Sequence, residues 1–93
     1  MLANAYYVEV RTVEEDKVLV SFDVSQTASE KDRANLERTI RAVAKRVCGP
    51  LDTRFTGSLS AASDNRACFR NAVARAMRTV ESGASNIAAV TSN

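Results

Sequence analysis

Tyr6, Val8, Val10 and Thr12 alternate with Tyr7, Glu9 and Arg11, and further on Val18, Val20, Phe22 and Val24 alternate with Leu19, Ser21 and Asp23. Period two is the signature of a half-buried strand, because successive side chains point to opposite faces of a sheet. The acidic run Glu14-Glu15-Asp16 joins the two segments. Pairing Val13 with Lys17 across that turn sets Val10 opposite Val20 and Val8 opposite Phe22, so register and polarity agree on one apolar face. The pattern predicts an N-terminal hairpin.

The period then changes from two to 3.6. Thr27-Ala28-Ser29-Glu30 fits a capping box, in which a threonine oxygen and a glutamate three residues on satisfy each other's orphan amides. Leu36, Ile40, Val43, Ala44 and Val47 make one apolar stripe, and Gly49-Pro50 supplies a stop, which predicts a helix over residues 28 to 48. A second helix is signalled by Ser63 or Asp64 as cap, by a stripe of Phe69, Val73, Ala76, Met77 and Val80, and by Gly83 as terminator. Between the helices, residues 54 to 60 alternate weakly through Phe55, Gly57 and Leu59, a short strand that the glycine weakens. Residues 86 to 91 read as a last strand. No repeat or linker divides the chain. The order predicts a single domain, residues 1 to 93, of α+β class: a two-layer sandwich with two helices on one face of a small, mostly antiparallel sheet, ββα(β)αβ.

Composition narrows the function. With 93 residues, 45% hydrophobic and 26% charged, three glycines and one proline, the chain has the make-up of one globular domain with a thin core, for which self-association or a stabilising partner is expected. No histidine and no tryptophan occur. The commonest general base and the commonest zinc nitrogen ligand are therefore missing, so an enzyme is the last reading and no cofactor or metal is expected. The net charge of +2 hides a division: residues 1 to 30 carry two basic against six acidic groups, net −4, and residues 31 to 93 carry eleven against five, net +6. Such separation favours an acidic or polyanionic partner for the C-terminal part, unless it reflects only a biased genome composition. Cys48 and Cys68 lack CxxC spacing and are expected to be reduced, buried and structural, in a cytoplasmic protein. Asn4 and Glu9 interrupt any leader-like apolar run, and no segment approaches the roughly 18 residues of a membrane span.

The sharpest surface feature is on the first helix. At 100° per residue Lys31, Arg38, Arg41 and Lys45 fall opposite the apolar stripe with no acidic residue among them, although Arg41 and Lys45 repel at the i,i+4 spacing. Either an anionic partner offsets that repulsion or the face is merely solvated, since lysine and arginine are good helix formers. On the second helix Arg75 and Arg78 are expected to project away from the core beside Ala67, Asn71 and Ala74. Arginine outnumbers lysine ten to three, and its planar fork suits phosphate and carboxylate. The stretch Phe55-Thr-Gly-Ser-Leu-Ser-Ala-Ala-Ser63 puts hydroxyls before a helix N-terminus, with Arg54 and Arg66 flanking Ser58 and Ser60 as an anion site; turn plus N-cap is the stronger interpretation. Tyr7, Val13 and Leu19 lie on the open hairpin face as apolar contacts for a partner or a second copy, beside Glu9, Arg11, Ser21 and Asp23. Glu14, Glu15 and Asp16 lack the spaced ligands of a calcium loop and read as a solvated turn.

In size, two-layer layout and lack of catalytic residues the chain resembles the small phage-encoded inhibitors of CRISPR surveillance complexes. The resemblance covers the general plan and rests on no shared motif. It implies a non-catalytic protein of the host-cell cytoplasm that occludes a nucleic-acid or subunit surface of a larger nucleoprotein complex. Two other readings stand beside it: a module that binds RNA or DNA directly, with steep salt dependence, and a structural domain that forms a homodimer through the hairpin face.

Overall fold

The computed structural model describes residues 7–51 and 57–92. Its order is β1 (Val8–Glu14), β2 (Lys17–Phe22), a 3-10 turn (Val24–Ala28), α1 (Glu30–Cys48), α2 (Leu59–Ser82) and β3 (Ile87–Thr91). The strands form one antiparallel sheet in the order β1-β2-β3, which makes the predicted two-layer α+β architecture the observed one.

The hairpin keeps the register expected from its alternation. Val8 pairs with Phe22, Val10 with Val20 and Thr12 with Val18. At the tip it departs from expectation: Glu14, not Val13, faces Lys17, so Val13 is an extra residue in a bulge. A bulge inserts one unpaired residue and sharpens the local twist, which lets Glu15 and Asp16 close the turn alone. On the face toward the helices Val18, Val20 and Phe22 of β2 and Ala88 and Val90 of β3 are buried.

Both helices start elsewhere than expected, for one reason. Thr27 donates its hydroxyl to the Val24 carbonyl at 2.8 Å and belongs to the 3-10 turn, so the cap of α1 is Ser29, whose Oγ accepts from the Asp32 amide at 3.3 Å. In α2 the cap is Ser58, accepting from the Ala61 amide at 3.0 Å, and not Ser63 or Asp64, which lie inside the helix. In each case the serine nearest the preceding turn satisfies the first free amides, and the helix starts there. Of the strand expected over residues 54 to 60, residues 54–56 lie outside the described region, while Leu59 and Ser60 open α2.

Gly49 ends α1 at φ +94°, where a side chain would be strained and a Cβ would stand 3.2 Å from Asn65 Nδ2. That close approach is used: Asn65 donates to the Pro50 carbonyl at 2.7 Å and Arg66 to the Leu51 carbonyl at 2.9 Å, tying the segment after α1 to the side of α2. Gly83 ends α2 in the left-handed region, as its position after the apolar stripe predicts.

Leu36, Ile40, Val43 and Ala44 of α1 and Ala72, Val73, Ala76 and Val80 of α2 close the core, with Val47, Phe69 and Met77 partly buried at its margin. The small alanines let helices and sheet approach closely but contribute little apolar area each. The two helices pack on each other and over β2 and β3. Coverage of β1 is far thinner than the alternation implies. Val8 is half-buried and Val10, on the same side as Val20, remains 40% exposed.

Cys48 and Cys68 are bonded to each other as a disulfide that links the end of α1 to α2, with Cα atoms 5.7 Å apart. This corrects the expectation of reduced thiols. Helix packing brings together two residues 20 apart in sequence that share no local spacing signal. The Cys68 sulfur also lies 3.6 Å from the Ser92 carbonyl; a bonded sulfur has no proton to give, so this is a packing contact.

Candidate functional site

The outer face of α1 carries the strongest segregation of charge. Helical geometry places Lys31, Arg38 and Lys45 at i, i+7 and i+14, a line on which successive positions stand about 10 Å apart and drift only about 20° per step. All three side chains are exposed, as is Arg46 beside them. Charges so spaced repel little, since screening in physiological salt acts over about 8 Å. Arg38 donates to Asn35 Oδ1 at 3.1 Å, a neutral partner that orients the guanidinium without cancelling its charge.

Arg41 does not belong to that line. Its Nε and Nη2 donate to Glu37 Oε2 at 3.1 and 3.0 Å, and its guanidinium carbon lies 5.9 Å from the centre of the Phe69 ring on α2. The expectation of a ridge with no acid is corrected here. Glu37 lies one turn before Arg41, and its carboxylate offsets the Arg41–Lys45 repulsion that the sequence raised. It is the one ion pair among the described residues.

Arg75 is also placed differently from expectation. Rather than facing solvent, it is half-buried and donates to the Thr91 carbonyl at 3.2 Å, capping the end of β3. Arg78 is exposed, as predicted. The anion site is not assembled from its expected members: Ser58 serves as helix cap, Ser60 is exposed in the first turn, Arg66 is engaged with the Leu51 carbonyl, and Arg54 lies outside the described residues.

The second candidate surface is the open side of the sheet. Strand pairing sets it out in rows: Glu9, Ser21 and Ile87, then Arg11, Leu19 and Ala89. Tyr7 and Val13 are exposed to 49% and 48%, while Leu19, in the central strand, is half-buried. Ile87, 43% exposed, joins this face through β3 and was not singled out by sequence; its place depends on the β2–β3 register. The Tyr7 hydroxyl donates to Glu9 Oε1 at 3.1 Å, and that bond, with the carboxylate's charge, holds the phenol above its ordinary pKa.

One open groove of about 570 Å³ lies where Phe22, Asp23 and Val24 leave the sheet beside residues 83–86. Its carboxylate, Asp23, is occupied by the amide and hydroxyl of Ser25 at 3.0 and 2.9 Å. Among the described residues no three His, Cys, Asp or Glu side chains stand where they could share a metal ion, and no helix is long and apolar enough to cross a membrane. The chain matches no protein-family model, no curated protein and no solved structure.

Proposed function

We propose that this chain is a small non-catalytic binding protein that lays the outer face of α1 on an acidic or polyanionic surface. The observation that supports it is the line of Lys31, Arg38 and Lys45, extended by Arg46: exposed along one helix, each outside the chain's one described ion pair. A rigid helix held by a buried stripe and a disulfide presents these charges with little ordering left to be done on binding, which favours affinity. Arg41 and Arg75 contribute indirectly, by holding the helix face and the sheet edge in place.

The disulfide bears on where this happens. Such bonds persist in oxidising compartments and are rare in the cytosol, so it supports an extracytoplasmic site of action over the host cytoplasm that a CRISPR inhibitor would occupy. Thiol titration of the folded, purified chain is expected to find no free cysteine.

Fluorescence anisotropy with labelled poly-glutamate, single-stranded RNA and duplex DNA tests the surface. Binding to at least one is expected at low salt. For three contacts on a single strand, the logarithm of affinity should fall with that of salt at a slope of roughly −2. Lys31→Glu/Arg38→Glu/Lys45→Glu is expected to abolish binding with helicity unchanged. Preference for nucleic acid would make the protein a nucleic-acid module, and preference for poly-glutamate would point to a protein partner. Unchanged affinity in the triple variant would remove the α1 face from the account.

A further inference from the structure

The two edges of the sheet are built differently. The Phe22 amide donates to the Asn86 carbonyl at 2.9 Å, so on β2 the backbone groups of Phe22, Val20 and Val18 point toward β3, and those of Ser21 and Leu19 toward β1. By the same alternation Ile87, Ala89 and Thr91 on β3, and Val8, Val10 and Thr12 on β1, turn their amides and carbonyls outward. On β3 side chains occupy the two ends of this row and leave only Ala89 between them. The Ser85 hydroxyl donates to the Ile87 carbonyl and accepts from the Ile87 amide, both at 3.1 Å, and Arg75 donates to the Thr91 carbonyl. No described side chain does this for Val8, Val10 or Thr12, and the helices leave Val10 40% exposed. Native proteins usually blunt such an edge, because it is a template for another strand.

We propose that β1 pairs antiparallel with β1 of a second copy of this chain about a two-fold axis at Val10, giving a continuous six-stranded sheet. Charge selects the register. Keeping both sheet faces continuous requires like-facing residues to pair. An axis at Glu9 would set two carboxylates against each other, and an axis at Arg11 two guanidinium groups. With the axis at Val10, Glu9 of each copy faces Arg11 of the other, and Val8 faces Thr12. Val10 and the Val8–Thr12 pairs then exchange the outward amide and carbonyl bonds. Glu9 and Arg11 fall on the intervening pairs without ladder bonds, where Cα atoms approach to about 4.5 Å and side chains meet most closely. Glu9 keeps Oε2 for this contact, since Tyr7 uses Oε1. The same axis sets Tyr7 opposite Val13, the two most exposed hydrophobic residues of the hairpin. Isologous pairing of this kind closes as a dimer, and the side chains that occupy both ends of β3 disfavour growth into a longer sheet.

Sedimentation equilibrium on the disulfide-intact chain, over a concentration series, tests this. The parent chain is expected to be a reversible dimer. Glu9→Arg alone and Arg11→Glu alone should each be a folded monomer by circular dichroism and sedimentation, since each sets like charges across the axis. An equimolar mixture of the two should form a heterodimer, and the double swap Glu9→Arg/Arg11→Glu should restore the homodimer. A parent chain that stays monomeric at every concentration overturns the proposal. So does a dimer that survives either single substitution, or a mixture that stays monomeric. None of these variants touches the α1 face, so their outcome is separate from that of the binding reading.

Discussion

Cys48 and Cys68 illustrate how much a single residue's role depends on its surroundings. Each sits at the margin of a buried stripe, Cys48 at the last residue of α1 and Cys68 one turn before Ala72, and the packing of the stripes brings their sulfurs together. Nothing in their spacing announces this. Closing a loop of 20 residues removes chain entropy from the unfolded state, a stabilisation of about 3 kcal/mol in the loop-closure model. Cys48→Ser/Cys68→Ser is therefore expected to lower the thermal midpoint by more than about 10 °C for a domain of this size, read by circular dichroism with the reduced parent chain as control. Arg75 differs from its helical-wheel placement for a related reason. A helical wheel places it well away from the stripe, but a long side chain at that angle reaches over the edge of β3. Arg75→Ala should cost about 1 kcal/mol in a urea titration, because the bond is charge-assisted yet partly exposed. Arg78→Ala, exposed on the same helix, should stay within about 0.5 kcal/mol of the parent.

For whole elements, alternation and stripe were sufficient to find β1, β2, β3 and both helices, and even the pairing of Val10 with Val20. Their ends were less legible. Several hydroxyl residues precede each helix, and sequence alone does not say which of them already serves the preceding turn, as Thr27 does by bonding the Val24 carbonyl. Ser29→Ala and Ser58→Ala are each expected to destabilise by about 1 kcal/mol, through loss of the cap bond. Ser63→Ala, exposed inside α2, should be nearly neutral in the same urea titrations. The Val13 bulge leaves no mark in the sequence, because an uninterrupted register satisfies the hydrophobic pattern equally well up to Thr12. The exposure of Val10 is hidden from sequence for another reason: which strands the helices cover is a property of packing, and period two reports only which side of the strand is apolar.

In the whole molecule the core is thin and alanine-rich, with Phe22, Leu36 and Ile40 its largest fully buried side chains. Ile40→Ala is expected to cost about 3 kcal/mol, a large share of what such a domain has. The disulfide offsets that thinness, and so would the second copy on β1. Of the candidate surface, the line Lys31, Arg38 and Lys45 was visible in sequence because it depends only on helical angle. The engagement of Arg41 was legible only in part: Glu37 precedes it at the i,i+4 spacing of one helix, whereas Phe69 reaches it from a second helix. Charge thus divides into a helix face of one sign and a hairpin edge of matched signs, two surfaces suited to different partners.

Amide chemical shifts, followed as a polyanion is added to the labelled, disulfide-intact protein at low salt, map the binding face residue by residue. Perturbations are expected to concentrate along α1 at Lys31, Arg38, Lys45 and Arg46, and to vanish when salt is restored. Perturbations centred on the hairpin, on β3 or on the groove beside Asp23, with α1 unmoved, would contradict an α1 binding face.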